Sequence, residues 1–266
     1  AYEMLRSLVG SEMCIRDRVE TKQLIFGLLS TIDNPLLPFF IEGIASQGLK
    51  NIVVILDSKV RTKVQNKIWH DRTGGNFNGG EGHKINIYNL SSLRIPFFFV
   101  ENHNDQNCLD LISNNKIDCL LNAGTPRKIS KKILDCVLHG VVNIHPGVLP
   151  QYRGCTAVEW AILNDDKVGN TAHFMDEGYD TGNLILSECY EFPEDASYES
   201  IRIKVYKAGC LFAGKALKRI NDKKMTPKDG LVQLNDDAKY RKPIPDEDFR
   251  VMLKKIESGM YLYQKH

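Results

Sequence analysis

Residues 141–154 read VVNIHPGVLPQYRG. The stretch places an asparagine and a histidine, Asn143 and His145, two positions apart at the end of a short apolar run. Residues two apart on a β-strand point to the same face, so we expect both side chains to project together. Pro146 biases the backbone of His145 toward an extended conformation. The stretch therefore predicts a strand that ends by presenting an amide and an imidazole side by side.

The segments around this stretch alternate between strand-like and helix-like patterns. Strand-like runs, mostly apolar throughout as in strands buried on both faces, occupy 23–31, 51–58, 95–100, 117–124, 140–145, 170–176 and 183–192. Helical patterns occupy 34–48, 58–72, 104–116, 129–137, 156–165, 197–222 and 246–257. This alternation predicts an α/β fold, a Rossmann-like and mostly parallel sheet flanked by helices, with a short C-terminal extension. Ligands bind such sheets beyond the carboxyl ends of the strands, where Asn143 and His145 are expected to lie.

The composition and the charge balance give no indication of a nucleic-acid-binding, membrane-spanning or disulfide-rich protein. The 266 residues include 35 Lys and Arg against 33 Asp and Glu, and this balance gives no indication of nucleic-acid binding. No apolar run approaches the ~20 residues that span a bilayer. The seven cysteines are scattered without a CxxC pair, which favours free thiols in a reducing compartment over a zinc site or disulfides. We expect a cytoplasmic protein that binds neither membrane nor nucleic acid.

Three regions differ in character along the chain. Residues 1–18, AYEMLRSLVGSEMCIRDR, lack the apolar core of a signal peptide and resemble translated sequencing adapter, which predicts a non-native leader. Residues 19–222 carry the alternating pattern and are expected to form the catalytic domain. Residues 223–266 are polar and contain three prolines, so we expect an extended tail with a short helix.

A second polar stretch completes a recognisable pair of motifs. MDEGYDTG at 175–182 supplies two carboxylates, Asp176 and Asp180, either of which could orient an imidazole. NIHPGVLPQYRG followed by MDEGYDTG resembles the folate-dependent formyltransferases, a family that includes glycinamide ribonucleotide, methionyl-tRNA and sugar-nucleotide formyltransferases. The resemblance is strong over 117–192 and extends over 20–222.

The resemblance implies a catalytic site and a formyl donor. Asn143 would bind the formyl oxygen as it becomes an oxyanion, His145 would act as acid or base, and Asp180 would hold His145 and help remove the amine proton. The implied donor is 10-formyltetrahydrofolate, and no metal is needed. It also implies a cis Leu149–Pro150 bond. The pteridine would lie against the loops 124–130 and 175–179, which gives a cofactor-binding set of Gly124, Arg127, Lys128, Ile129, Val142, Asp176, Glu177 and Gly178.

Several positions also have a purely structural interpretation. His173 is expected to be a satisfied core or half-buried histidine. Arg153 is either framework, which we favour, or a partner for a substrate phosphate. Asp176 belongs either to the pteridine loop or to a turn with Gly178. The glycine-dense loop 73–83 is expected to be a linker, with closure over substrate as the alternative.

The motifs do not determine the acceptor amine. The segment after Asp222 is shorter than the C-terminal barrel of methionyl-tRNA formyltransferases, and STIDNPLL at 30–37 departs from the phosphate-binding loop of the glycinamide ribonucleotide enzymes. We therefore expect a small acceptor, with an amino-sugar nucleotide favoured, and a homodimer stays open. AKYRKPIPDED at 238–248 resembles a tail that folds back near the acceptor site in some relatives. The alternatives are a 10-formyltetrahydrofolate hydrolase and a catalytically silent folate-binding module.

Overall fold

A computed structural model describes residues 22–76, 87–234 and 238–265. The expected leader, 1–18, and most of the glycine-dense loop, 73–83, lie outside the described residues.

A seven-stranded sheet forms the centre of the described fold. Its strands are β1 (Phe26–Thr31), β2 (Ile52–Asp57), β3 (Phe97–Val100), β4 (Cys119–Asn122), β5 (Val141–His145), β7 (Val168–Phe174) and β8 (Leu184–Tyr190). The order across the sheet is β3-β2-β1-β4-β5-β7-β8. The first five strands pair in parallel, and β7 and β8 add on antiparallel, next to β5. The predicted mostly parallel α/β sheet is confirmed.

Helices cover both faces of the sheet, which is why its central strands are apolar throughout. They are α1 (Leu37–Ser46), α2 (Lys63–Thr73), α3 (Ile87–Ser92), α4 (Gln106–Asn114), α5 (Lys131–Asp135), α6 (Ala157–Leu163), α7 (Tyr198–Lys223) and α8 (Asp246–Glu257). One core cluster joins α1 and α7 to one face of β1, β2 and β4. A second joins α4 and α5 to the opposite face. Within the described ranges, no helix combines the length and the apolar character that crossing a membrane requires.

Two boundaries differ from the sequence patterns for local reasons. Helix α2 begins at Lys63 rather than near 58, because the Thr62 side chain accepts from the N–H of Gln65 while the Gln65 side chain accepts from the N–H of Thr62. Strand β7 runs two residues earlier than predicted, and Met175 already donates its N–H to the carbonyl of Val141. The loop that carries Asp180 therefore starts directly beside β5.

The C-terminal segment contains the short helix predicted at 246–257, and its remainder is more ordered than the predicted extended tail. It contains a 3-10 turn (Pro227–Asp229), β10 (Tyr240–Arg241), α8 and β11 (Gln264–Lys265). Strand β10 pairs with β6 (Arg153–Gly154), and β11 pairs with β9 (Phe192–Pro193). Helix α8 has an amphipathic pattern and buries Met252 and Ile256 in a cluster shared with α6. Burial of this apolar face ties the tail to the domain.

Candidate active site

The carboxyl end of β5 lies between β4 and β7. Cα pairing sets Asn143 opposite Asn122 on β4 and opposite His173 on β7. Three polar side chains therefore form a row across three adjacent strands, at the edge where the α/β fold places its ligands.

His145 is buried with one ring nitrogen committed to the backbone. Its Nε2 lies 2.6 Å from the carbonyl oxygen of Tyr152, so this nitrogen donates. A Cβ at Gly147 would lie 2.8 Å from the same Nε2, so a glycine is needed there for the ring to fit. The other nitrogen, Nδ1, lies 3.4 Å from Oδ2 of Asp180. Because Nε2–H is held by a carbonyl, Nδ1 is the position at which His145 can take up or release a proton.

Asp180 is held in the loop after β7 at a left-handed backbone angle, φ +57°, which aspartate tolerates better than most residues. Its Oδ2 accepts the N–H of Gly154 at 2.9 Å, and its Oδ1 lies 3.5 Å from Nε2 of His173. Burial by itself raises the pKa of Asp180, whereas the His173 and His145 rings and the Gly154 N–H lower it, to about 2. Asp180 is therefore ionised throughout the physiological range.

The charge of Asp180 acts on His145. Burial lowers the pKa of His145 below its ordinary value, because an imidazolium loses hydration in the protein interior, and Asp180 opposes this effect. A neutral His145 thus has its lone pair on Nδ1, facing a carboxylate that stabilises the ring as soon as it gains a proton. This arrangement can move a proton without a metal. Among the residues that the structure describes, no group of three or more His, Cys, Asp or Glu side chains is placed to hold a metal ion.

His173 is the residue whose part in the site the sequence did not indicate. It is buried, as expected of a core histidine, and its Nδ1 lies 2.9 Å from the carbonyl of Phe174. However, its Nε2 lies 3.2 Å from Nδ2 of Asn143 and 3.5 Å from Asp180. His173 therefore connects Asn143 to Asp180. Only the antiparallel pairing of β7 with β5 reveals this, since the two residues are thirty positions apart.

The two loops expected to hold the folate face each other. Lys128 places its Nζ 4.8 Å from the centre of the Tyr179 ring, which joins the loop after β4 to the loop before Asp180. Arg127 makes a two-pronged contact to the buried Asp57, with Nε–Oδ2 2.9 Å and Nη2–Oδ1 3.0 Å, and so anchors its loop on β2. The side chains of Ile129 and Val142 lie in the core, which leaves their backbone groups for any ligand.

The loop before Asp180 is exposed and turned on itself. Asp176 accepts the N–H of Gly178 at 3.0 Å and the hydroxyl of Thr181 at 2.6 Å, a local turn of the kind the sequence allowed. Glu177 and Gly178 are exposed, as is Gly124 on the facing loop. Both loops therefore present exposed groups, and Tyr179, which Lys128 contacts, directly precedes Asp180.

Arg153 and Gln233 form the framework below Asp180. Arg153 is buried and donates to Oε1 of Gln233 through Nε and Nη2, at 3.0 and 2.8 Å. Gln233 in turn donates to the backbone carbonyls of Asp180 and Gly182, at 2.9 and 2.7 Å. The structural interpretation of Arg153 agrees with this geometry. Gln233 carried no sequence signal because it lies in the tail, far along the chain.

The tail also borders the site directly. Tyr240 and Arg241 pair with Arg153 and Gly154, so β10 lies against the backbone that holds Asp180. The ring of Tyr240 lies 6.2 Å from that of Tyr179, and both rings are more than half exposed. The predicted cis bond at Leu149–Pro150 is present in the loop between β5 and β6.

Comparison with known proteins gives consistent results. Residues 83–212 match the family model described as formyl transferase. Methionyl-tRNA formyltransferase of Clostridium tetani (strain Massachusetts / E88) is 31% identical over 106 residues, which cover 40% of this chain and 34% of that protein. The methionyl-tRNA formyltransferase of Alkaliphilus oremlandii (strain OhILAs) is 29% identical over 152 residues, 55% of this chain and 49% of that protein. This chain thus spans between a third and a half of the length of these relatives.

Solved structures share the fold. Glycinamide ribonucleotide transformylase 1 from Symbiobacterium toebii superposes with a TM-score of 0.58 at 17% identity, covering 80% of this chain and 94% of that chain. A sugar N-formyltransferase from Shewanella sp FDAARGOS_354 superposes with a TM-score of 0.53 at 16% identity, covering 87% of each chain. Over residues 83–212, just under half of its length, this chain is similar to the formyl transferase family, and it shares its fold with these solved structures.

Proposed function

We propose that this protein transfers the formyl group of 10-formyltetrahydrofolate to the amine of a small acceptor, through Asn143, His145 and Asp180. One observation carries the proposal: an amide donor, a proton-exchanging imidazole and an ionised carboxylate are linked by contacts of 3.2 to 3.5 Å at the carboxyl end of β5.

Each of the three side chains suits one part of the reaction. Asn143 can donate an N–H to the formyl oxygen, which gains negative charge as the amine attacks. His145 can exchange a proton at Nδ1, and the adjacent carboxylate stabilises its charged form. Asp180, ionised at neutral pH, can accept the proton that the amine loses. A new bond forms between the amine nitrogen and the formyl carbon, the bond between that carbon and the folate nitrogen breaks, and the proton released by the amine ends on the folate nitrogen.

The residues present fit a formyl donor of this kind. 10-Formyltetrahydrofolate supplies the formyl group and leaves as tetrahydrofolate. The two facing loops offer exposed groups at Gly124, Lys128, Asp176, Glu177 and Gly178, and Lys128 contacts Tyr179, which directly precedes Asp180. The anchoring of Arg127 on Asp57 holds one of these loops in place.

The acceptor that we propose is a small amine, with an amino-sugar nucleotide favoured. Asp33, in the loop after β1, is bound by Thr31 and Arg61. Burial raises the pKa of Asp33, but its hydrogen bonds with Thr31 and Arg61 lower it below the usual value. Asp33 accepts the N–H of Arg61 and contacts its guanidinium, so these donors are taken up within the protein rather than offered to a phosphate, which supports an acceptor other than glycinamide ribonucleotide. The even overall charge gives no support to tRNA.

A turnover assay with a panel of amines tests the proposal. The protein is incubated with 10-formyltetrahydrofolate and, separately, with amino-sugar nucleotides, glycinamide ribonucleotide and methionyl-tRNA, and both tetrahydrofolate release and the formylated product are measured. We expect amine-dependent release that His145→Ala abolishes. Release that needs no amine would instead support a hydrolase. Folate binding without release in any reaction would contradict the proposal.

A further inference from the structure

The side chain of Asn143 can be turned in two ways that differ by the exchange of its oxygen and nitrogen. Only one of them offers an N–H to a formyl oxygen. We infer that Asn122, on the neighbouring strand β4, is the positioning residue that selects this orientation. The inference rests on the proposed function for its catalytic consequence, but its structural part can be tested without turnover.

Backbone groups fix one end of the row. The N–H groups of Gly124 and Thr125 both point at one side-chain atom of Asn122, at 3.2 and 3.0 Å. Backbone N–H groups can only donate, so this atom is the amide oxygen. The other end of the Asn122 amide is therefore its NH₂ group, and it lies 2.9 Å from Asn143.

The same reasoning passes along the row to its other end. Since Asn122 donates, the Asn143 atom that it meets is Oδ1, and the Asn143 nitrogen faces Nε2 of His173 at 3.2 Å. Nε2 must then accept, so the ring proton lies on Nδ1, where it meets the carbonyl of Phe174 at 2.9 Å. A carbonyl can only accept, so the Phe174 carbonyl requires the same direction of hydrogen bonds as the N–H groups of Gly124 and Thr125. Backbone groups at both ends thus allow a single direction for every donor and acceptor between them.

The row leaves one N–H group of Asn143 for the substrate. His173 is the acceptor that the described residues offer to the Asn143 nitrogen, and it takes one of the two N–H groups. If the amide were reversed, Oδ1 would occupy this position and would repel an oxygen gaining negative charge.

Asn122 also joins the catalytic amide to the loop expected to hold the folate. Its oxygen holds the first residues of that loop, and its nitrogen holds Asn143. A purely structural role would need only the contacts to Gly124 and Thr125. Changing the two ends of the Asn122 amide separately distinguishes the two roles.

Asn122→Asp changes the donor end of the side chain and keeps the acceptor end, with little change in shape. The carboxylate keeps an acceptor for both loop N–H groups but can no longer donate to Asn143, which is then expected to reverse. Asn122→Ala removes both ends and introduces no charge, so it serves if the aspartate variant does not fold. Asn51→Asp adds the same charge at an exposed position before β2 and is the matched control.

The first measurement is the ¹⁵N spectrum of the histidine rings, which shows which ring nitrogen carries the proton. In the unaltered protein we expect His173 to be protonated on Nδ1. In Asn122→Asp we expect Nε2 to carry a proton as well, because a reversed Asn143 presents its oxygen there while the Phe174 carbonyl still holds the proton on Nδ1. A His173 signal unchanged from the parent in both Asn122 variants would overturn the inference, whether or not the protein is active.

The second measurement separates kcat from KM. In Asn122→Asp we expect kcat to fall about 10²-fold, within the range for loss of an oxyanion donor, while KM for 10-formyltetrahydrofolate stays within about threefold because the loop keeps its acceptor. Asn122→Ala should lower kcat and also raise KM. Parent-like kcat in Asn122→Asp would overturn the inference. A parent protein without turnover would contradict the proposed function instead, and the ring spectrum would still decide the role of Asn122.

Discussion

Replacing Asp180 by asparagine removes one charge from the site while keeping the size of the side chain. The asparagine oxygen can still accept the N–H of Gly154, and its NH₂ group can face Nε2 of His173. What the variant loses is the negative charge 3.4 Å from Nδ1 of His145. The experiment therefore isolates the electrostatic role of the carboxylate.

The geometry sets the size of the expected effect. Two unit charges 3.4 Å apart interact by about 5 kcal/mol at an effective dielectric constant of about 20. The asparagine dipole and water recover part of this, so we expect kcat to fall about 10²–10³-fold, equivalent to about 3–4 kcal/mol.

The same change has a consequence for stability. The pKa of Asp180 is lowered from 3.8 to about 2 in the folded protein. This corresponds to about 2 kcal/mol of stability at neutral pH. A lowered folded-state pKa means that this stability is present above about pH 4 and is lost as the pH falls toward 2. Asp180→Asn should therefore be less stable than the parent at pH 7, and this difference should disappear in acid.

Tetrahydrofolate release under saturating donor and acceptor measures kcat, and urea unfolding at pH 7 and in acid measures stability. Asp222→Asn is the matched control, because Asp222 is exposed on α7 and its hydrogen bonds to described residues are with Lys218 and Asn221 of the same helix. Near-parental turnover in Asp180→Asn would refute the electrostatic role of Asp180. A stability difference that persists unchanged in acid would refute the ionised state that we assign to it.

Three further predictions follow from the packing around the site. First, burial lowers the pKa of His145, so its ring signals in NMR should titrate below about pH 6.5. In Asp180→Asn they should titrate lower still, because Asp180 favours the charged ring. An upward shift in that variant would contradict the role of Asp180 in stabilising the charged ring. Second, Arg127→Ala should lower the free energy of unfolding by about 2–3 kcal/mol, because it leaves the buried Asp57 without the Arg127 guanidinium. It should also raise KM for the folate more than it lowers kcat. Unchanged urea unfolding would contradict the proposal that the Arg127–Asp57 pair anchors the loop. Third, Gly154→Ala should destabilise the protein and displace the tail, because the backbone there has φ +91° and an added Cβ would lie 2.4 Å from the carbonyl oxygen of Arg241. Thermal unfolding measures the loss of stability, and limited proteolysis after residue 238 measures the displacement of the tail. Parental behaviour in both measurements would show that the tail does not pack as described.

The sequence predicted the elements that local patterns specify. Buried parallel strands are apolar throughout, so the sequence predicted the five parallel strands. Asn143 and His145 lie at the end of β5, and Asp180 lies in the loop after β7. The predicted start of a helix was less accurate where an N-cap side chain determines it, as Thr62 does for α2. The helix predicted at 246–257 is present as α8, whereas the pairing of β10 with β6 and of β11 with β9 was not predicted.

By itself, then, the sequence determined the α/β sheet, because periodicity depends only on near neighbours, and the motif resemblance predicted Asn143, His145 and Asp180 as site residues. The tertiary structure decided which distant residues complete the site. Asn122 and His173 are placed beside Asn143 by the registers of β4 and β7 against β5, and Gln233 reaches the backbone of Asp180 from the tail. Strand register between distant segments depends on the packing of the whole sheet, so no local pattern in the sequence specifies these contacts.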